Sequence, residues 1–334
     1  MENVELKNKL SGNINVDCSK KNFSFVLSGR TAIDAAIKDI LKKRKVEKVL
    51  LPSYICESMI IPFIINKIPI EFYRVDYYPS WNQFVIDYRK LLQTRNSIVL
   101  LCDYFVPNSI HKYIEYIDGS NVIIHDVTHT LFSDKLSVEQ DDYTICSLRK
   151  WFDIPDGGLI ISSGIDLKSE KENIEYISNK LKSKELKRVF QDNPTEENRK
   201  QYKKFYNLAD HILDEDFGGY GMSSISMDKL NGLDLSRYFK ERKELLMQIR
   251  EFLLKRDVKI VFNGSSLFTI PIIVEGDRNK LLERLRENGV RCTVFWEYNS
   301  YNRNIPNYLT DNSICLDISQ NTLQKINSKM KRGY

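Results

Sequence analysis

Between about residues 22 and 162 the chain alternates short apolar runs with stretches of helical period, a rhythm that points to a sheet of largely parallel strands joined by crossover helices. Phe23 to Leu27 leads into Ser28-Gly29-Arg30-Thr31, after which Ala32, Ile33, Ala35, Ala36, Ile37, Ile40 and Leu41 keep helical spacing. A strand thus feeds a helix through a glycine turn. Further strands are expected at Lys48 to Leu51, Ile70 to Val75, Ile98 to Cys102, Val122 to Ile124, Tyr143 to Cys146 and Leu159 to Ser162, with helices at 55–66 and 109–117. The expected class is α/β: a three-layer sandwich around a mostly parallel central sheet, plus a smaller C-terminal α/β lobe. In such sheets ligands bind beyond the carboxyl ends of the strands.

Residues 165–216 turn Lys/Glu-rich with little apolar content, and read as exposed helices or an excursion on which function does not centre. Past Gly218-Gly219-Tyr220-Gly221, a long helical stretch at about 227–256 bridges into the lobe. The lobe reads as strand 259–262, strand 267–274, helix 278–287, strand 290–296 and a last helix after Asn321. The expected organisation is a large domain over 1–235 and a small one over 236–334.

At 334 residues and 42% hydrophobic content the chain can bury a large core. Its formal charge of +5, from 50 basic and 45 acidic residues, is spread out, which argues against nucleic acid as a partner. Lys42-Lys43-Arg44-Lys45 and the run from Lys180 to Arg188 read as solvated helix faces. The polar start and the lack of any run near ~20 apolar residues point away from a membrane and toward the cytoplasm. Cys18, Cys56, Cys102, Cys146, Cys292 and Cys315 form no CxxC pair and are expected as reduced thiols. His111, His125, His129 and His211 lack ligand spacing, so no metal is expected.

The chemistry gathers around Lys150, in Ser147-Leu148-Arg149-Lys150-Trp151, with Asp156-Gly157-Gly158 downstream and Asp126 upstream. A Schiff-base lysine needs a desolvated, part-cationic pocket that lowers its pKa, and Arg149, Leu148 and Trp151 supply one. Asp126 follows the run Val122-Ile123-Ile124, where a strand tip can present a carboxylate to a pyridinium nitrogen. Lysine and carboxylate together point to pyridoxal 5′-phosphate. Gly29 permits close backbone approach, Thr31 and the amides opening the following helix suit a dianionic phosphate, and Ser147 is placed to reach the same group. No GxGxxG or GxxxxGK[ST] loop offers a nucleotide-binding alternative.

Four pieces in order, Ser28 to Ile33, Leu51 to Cys56, His125 to His129 and Ser147 to Gly158, resemble the DegT/DnrJ/EryC1/StrS family of pyridoxal-phosphate sugar aminotransferases, within the fold-type I group. The resemblance runs from about Phe23 to Ile326. It implies a homodimer that moves an amino group, from glutamate as donor, to a nucleotide-linked keto sugar for surface polysaccharide or a glycosylated metabolite. It further implies that Lys150 binds the cofactor aldehyde and Asp126 its ring nitrogen. Cys56 or Tyr54 covers the ring face. His129 either bonds the ring oxygen, braces Asp126, or is simply a buried histidine. Tyr220, Trp296 and Tyr298 are either stacking groups for sugar or base, or core.

Departures from the family pattern bear on the phosphate and the substrate. Gly219-Tyr220-Gly221 stands where relatives carry Asn-Tyr-Arg/Lys, which reaches the partner's phosphate, and Arg30 is the expected replacement for that charge. Asp317-Ile318-Ser319-Gln320 shortens the lobe before the last helix. Two other functions fit the motifs: a cofactor-binding regulatory or scaffold protein without turnover, and a different pyridoxal-phosphate reaction on a sugar nucleotide, such as dehydration. Lys150 argues against the second, since dehydrating relatives have histidine there.

Overall fold

The structure is a computed structural model that describes residues 2–329 except 13, 15–20, 134, 135, 137, 139, 166, 168, 170 and 194. All the strand segments expected between 22 and 162 join one sheet. Its strands are β1 (Asn22–Val26), β2 (Val49–Pro52), β3 (Ile70–Tyr73), β6 (Ile98–Cys102), β7 (Val122–Asp126), β8 (Tyr143–Cys146) and β9 (Gly158–Ser162). Their order is β1-β9-β8-β7-β6-β2-β3. Pairings from β3 across to β8 are parallel, and only β9 runs antiparallel to its neighbours β8 and β1.

Side-chain alternation along these strands feeds two cores, one on each face. On β9, Ile160 packs with Ile33, Ile37 and Ile40 of α2 (Gly29–Lys43), whereas Leu159 and Ile161 pack with the other core. That second core takes Leu6 and Leu10 from α1 (Glu2–Ser11), Leu230 from α7 (Ser224–Asn231), and Leu235 and Phe239 from α8 (Leu235–Leu254). A three-layer sandwich results, as expected.

Differences from the sequence expectations have local causes. The strand expected to end at Val75 breaks at Arg74, and β4 (Val75–Tyr78) instead forms a hairpin with β5 (Gln83–Ile86). Its turn, Pro79 to Asn82, puts Asn82 at φ 50°, a value that asparagine tolerates. The helix expected at 55–66 is α3 (Glu57–Ile65), α4 (Tyr88–Gln93) follows the hairpin, and 109–117 forms a 3₁₀ helix over His111–Tyr116. The stretch 227–256 splits into α7 and α8 because Gly232 closes the first and the Asp234 carboxylate caps the second, accepting from Arg237 N at 2.9 Å.

The charged excursion folds as a helical hairpin, α5 (Ile174–Asp192) and α6 (Glu196–Glu215). Lys42 to Lys45 are exposed as expected, but Lys180 is buried and paired with Asp210 at 3.1 Å, so the second basic run is not wholly a solvated face. In the lobe, β10 (Ile270–Ile273), β11 (Cys292–Thr293) and β12 (Ser313–Leu316) form an antiparallel sheet beside α8, α9 (Arg278–Glu287) and α11 (Gln320–Lys329). The strands expected at 267–274 and 290–296 are therefore shorter than their apolar runs. No strand forms at 259–262, where Phe262 and Asn263 take positive φ and Ile260 alone bridges Ile272. α10 (Tyr308–Asn312) and β12 were not anticipated. Cys18 lies outside the described residues; Cys56, Cys102, Cys146, Cys292 and Cys315 are free. No helix among the described residues is long and apolar enough to cross a membrane.

Gly158 locks the end of β9 against the start of α2: a Cβ there would lie 2.2 Å from the Ser28 carbonyl oxygen. Gly158→Ala should therefore displace the Ser28–Gly29 turn and cost more than ~4 kcal/mol, a loss that urea denaturation can measure. An unchanged midpoint would contradict this packing.

Candidate active site

At the carboxyl ends of the parallel strands, four chain segments converge on one cavity. β1 delivers Gly29 and Arg30 at the head of α2, the segment after β2 delivers Cys56, β7 delivers Asp126, Thr128 and His129, and β8 delivers Ser147, Arg149 and Lys150. Phe268, Phe295 and Trp296 close it from the lobe. Separate motifs in the sequence thus become neighbours through sheet order.

Lys150 sits on a single 3₁₀ turn, Leu148–Lys150, following β8. Its side chain is open to the cavity space, yet it lies deep within the protein mass, and that depth governs its titration. Burial lowers its pKa, and the adjacent Arg149 guanidinium lowers it further. Asp126 lines the same cavity, and one of its oxygens accepts from Thr128 N at 2.7 Å. Burial raises the Asp126 pKa against that hydrogen bond. Opposite shifts thus bring an amine and a carboxylic acid toward the middle of the pH scale.

Other candidates divide between the cavity and its surroundings. Ser147 lines it, and a Cβ on Gly29 would come within 3.2 Å of Ser147 Cβ, so glycine is what lets the helix head approach. Thr31 is not in the lining: its hydroxyl donates to Phe217 O at 2.8 Å and its N–H donates to Ser28 Oγ at 3.1 Å. Its expected place is at an anion; here its N–H serves the helix cap and its hydroxyl the Phe217 carbonyl. Cys56 lines the cavity with its thiol 3.0 Å from Ser58 Oγ, whereas Tyr54 is buried behind Trp296, ring centroids 5.0 Å apart. Cys56 is thus the one of the pair that faces the cavity.

His129 stacks between Phe268 at 4.3 Å and Trp296 at 5.3 Å, with Nδ1 buried and unpartnered. Burial, then Lys150, pushes it down to about 3, so it is neutral at ordinary pH. It does not brace Asp126, whose side-chain oxygen is held by Thr128 instead. Trp296 lines the cavity. Tyr220 packs beside the helical hairpin and Tyr298 bonds Asp311, so neither stands with Trp296 in the lining.

Behind Asp126 lies a buried ionic chain that the sequence did not disclose. His125 Nδ1 meets Asp141 Oδ2 at 2.8 Å, and its Nε2 lies 3.3 Å from Asp103 Oδ2. His111 Nε2 meets the other Asp141 oxygen at 2.8 Å, and its ring stacks on His125 at 4.4 Å. His111, His125 and Asp141 bring their donor atoms within 4.8 Å of one another, as a cation site would, though these hydrogen bonds use the same atoms. Asp103 also accepts from the backbone N–H of Asn108, Ile110 and His111, so the chain fixes the loops after β6 and β7. Burial disfavours the His125 charge, but Asp141 and Asp103 hold its pKa up to about 10.

The helical hairpin, on which function was not expected to centre, supplies no described residue to the cavity lining but holds two of its arginines from behind. Arg149 donates to Tyr176 Oη at 2.6 Å, and Asp214 pairs with Arg30. Burial pushes Lys180 down to about 8 against the pull of Asp210. Phe268, Phe295 and the hairpin residues carry no local sequence signal, because tertiary packing alone brings them in.

No family model matches the sequence, and no curated protein matches it. Solved structures do. Spr1654 from Streptococcus pneumoniae, described as a sugar aminotransferase and solved in a PMP form, aligns at 15% identity and TM-score 0.63 over 99% of this chain and 89% of that one. The sugar aminotransferase CalS13 from Micromonospora echinospora aligns at 12% and 0.61 over 100% and 92%, and a DegT DnrJ EryC1 StrS aminotransferase from Brucella abortus at 14% and 0.59 over 98% and 88%. The fold is that of these aminotransferases. The fold-type I architecture, expected from the motifs, is thus met over nearly the whole chain.

His125→Gln should leave Asp103 and Asp141 buried without their counter-charge and cost about 3–5 kcal/mol at pH 7, measured by urea denaturation. Because the folded pKa of His125 is raised, its contribution is complete below the unfolded value near ~6.5 and is lost as pH rises through about 10. The stability curves of wild type and variant should therefore converge in alkali; a constant gap would contradict the pairing.

Proposed function

We propose that the protein is a pyridoxal-phosphate-dependent aminotransferase that moves an amino group from an amino acid, glutamate by resemblance, to a keto sugar carried on a nucleotide. The product would feed surface-polysaccharide or glycosylated-metabolite synthesis in the cytoplasm. One observation carries this reading: Lys150, an amine with a lowered pKa and no ion pair among the described residues, shares a cavity with Asp126 and with the Gly29–Ser147 cradle. Solved proteins of this fold described as sugar aminotransferases support it.

The residues present fit the cofactor. Unpartnered buried nitrogens at His129 Nδ1, Arg30 Nε and Arg149 Nε border a cavity that a phosphorylated, oxygen-bearing ring would satisfy. Lys150 would hold the aldehyde, Asp126 the ring nitrogen, and Gly29, Arg30 and Ser147 the phosphate. Cys56 lies toward one ring face, and His129 toward the ring oxygen. Tyr54 and Thr31, outside the lining, would act by supporting Trp296 and the helix cap.

Bound pyridoxal phosphate supplies an aldehyde that condenses with amines and a pyridinium ring that withdraws electrons from the adjoining carbon. Lys150 needs its neutral form to bind that aldehyde, and burial beside Arg149 enlarges the neutral fraction. Lys150 Nζ, in its neutral form, would be the base placed to take the proton from the donor Cα and hold it for return. Asp126, as a carboxylate, would keep a proton at the ring nitrogen. Phe268, Phe295 and Trp296 exclude water, and Trp296 offers a stacking surface to the acceptor. A cofactor-binding domain over 1–235, a small domain over 236–334 and a homodimer complete the proposal.

Lys150→Ala should abolish amine transfer from glutamate to keto-sugar nucleotides, a loss of about 10⁴-fold or more, and Asp126→Asn should cost about 10²-fold or more. Amine transfer assayed on chromatographed sugar nucleotides tests this; a Lys150→Ala protein of full activity would refute it.

A further inference from the structure

We propose that Arg149, acting with Arg30, forms a two-guanidinium anion site that holds the cofactor's phosphate with side chains of a single protomer. The proposal rests on the phosphate-bearing cofactor argued above, and it assigns Arg149 a binding role beyond its effect on the neighbouring lysine. Both arginines line the cavity at its Gly29–Ser147 end. Each has a buried Nε–H without a partner, while its Nη1 is tied down. Arg30 is about nine-tenths buried, with its side chain 10% exposed; its Nη1 donates to Leu213 O at 3.0 Å and pairs with Asp214. Arg149 Nη1 donates to Tyr176 Oη at 2.6 Å.

A native interior rarely leaves two such donors unsatisfied on residues that line one cavity, since each costs desolvation without return. Their surroundings do not neutralise them fully. Asp210, the acid nearest in charge to Arg149, is already paired with Lys180, and Asp214 answers Arg30 alone. Added to the first amides of α2 and the Ser147 hydroxyl, the two Nε–H groups complete a donor set suited to a tetrahedral dianion. The hairpin residues Tyr176, Leu213 and Asp214 orient the two arginines and so serve as positioning residues.

The alternative source of charge is closed in this chain. At Gly221, where the family resemblance expects a basic side chain directed to the partner's site, a Cβ would lie 2.1 Å from the Ser169 carbonyl oxygen. A lysine or arginine cannot stand there without moving that backbone. Arg149 and Arg30 also both depress Lys150, so an anion between them would offset part of that effect and make the amine less reactive.

The test uses purified full-length protein stripped of cofactor, with calorimetric titration of pyridoxal 5′-phosphate, pyridoxal and inorganic phosphate. In Arg149→Gln, pyridoxal phosphate and inorganic phosphate should each bind about tenfold or more weakly, while pyridoxal binds as in wild type; Arg30→Gln should behave alike. Equal losses for pyridoxal and its phosphate would make Arg149 merely structural and overturn the proposal, as would unchanged affinity. Should Arg149→Gln fail to fold, Arg149→Lys decides: it keeps the charge but lacks the planar fork, and must weaken phosphate several-fold while sparing pyridoxal. Mixing Arg149→Gln with Lys150→Ala protein should restore no full-affinity site, because both residues serve the same protomer; a restored site would overturn that part. Wild type that binds inorganic phosphate but neither form of pyridoxal would leave the anion site standing and remove the cofactor reading, whereas binding of none removes both.

Discussion

An amine held beside two guanidinium groups, within the protein mass yet facing an open cavity, is the constraint from which the rest of this structure follows. Burial raises the free energy of protonated Lys150, and the like charges of Arg149 and Arg30 add to the effect, so the neutral amine is more accessible than in an ordinary lysine. Maintaining that arrangement requires that Arg30 and Arg149 be unable to swing away into water. The hairpin of α5 and α6 meets this need: Tyr176, Leu213 and Asp214 hold Nη1 of the two arginines and leave their Nε–H groups without a partner.

The opposite wall depends on a second electrostatic device. Asp126 ends a parallel strand in the middle of the sheet, flanked by β6 and β8, and the segments that follow β6 and β7 surround it. The buried Asp103–His125–Asp141 chain ties these loops together, with His111 against Asp141 and Thr144 Oγ1 donating to it at 2.8 Å. A buried ionic cluster adds little net stability compared with apolar packing, but breaking it leaves unpaired charge, so it specifies geometry more than it strengthens the fold. Gly158 performs the equivalent task on the β1 side, where only a missing side chain lets β9 lie against the Ser28 carbonyl.

Periodicity and local chemistry made the sheet legible from sequence. Buried parallel strands carry apolar residues on both faces, so runs such as Ile98 to Cys102 stand out, and their ends carry Asp126, Ser147 and Lys150 to one edge whatever the details of packing. At Thr31 a hydroxyl at a helix head can serve a ligand or the protein equally well in sequence, and here it donates to Phe217 O while the N–H joins the cap. His125, His111, Asp103 and Asp141 are too far apart in the chain for spacing to reveal them. The burial of Lys180 was hidden for a different reason: it pairs with Asp210 between the two hairpin helices, and both are residues that composition alone assigns to solvent. In the lobe, apolar runs exceeded the strands because part of each packs against helices or the cavity instead of pairing, as Phe268 and Trp296 do.

The most direct measurement is to supply the protein with pyridoxal 5′-phosphate, reduce it with borohydride, digest it and locate the modified residue by tandem mass spectrometry. A single phosphopyridoxyl group on Lys150, absent when Asp126 and Lys150 are intact but the aldehyde is omitted, is the expected result. Labelling scattered over exposed lysines, with Lys150 unmodified, would contradict the assignment of this cavity.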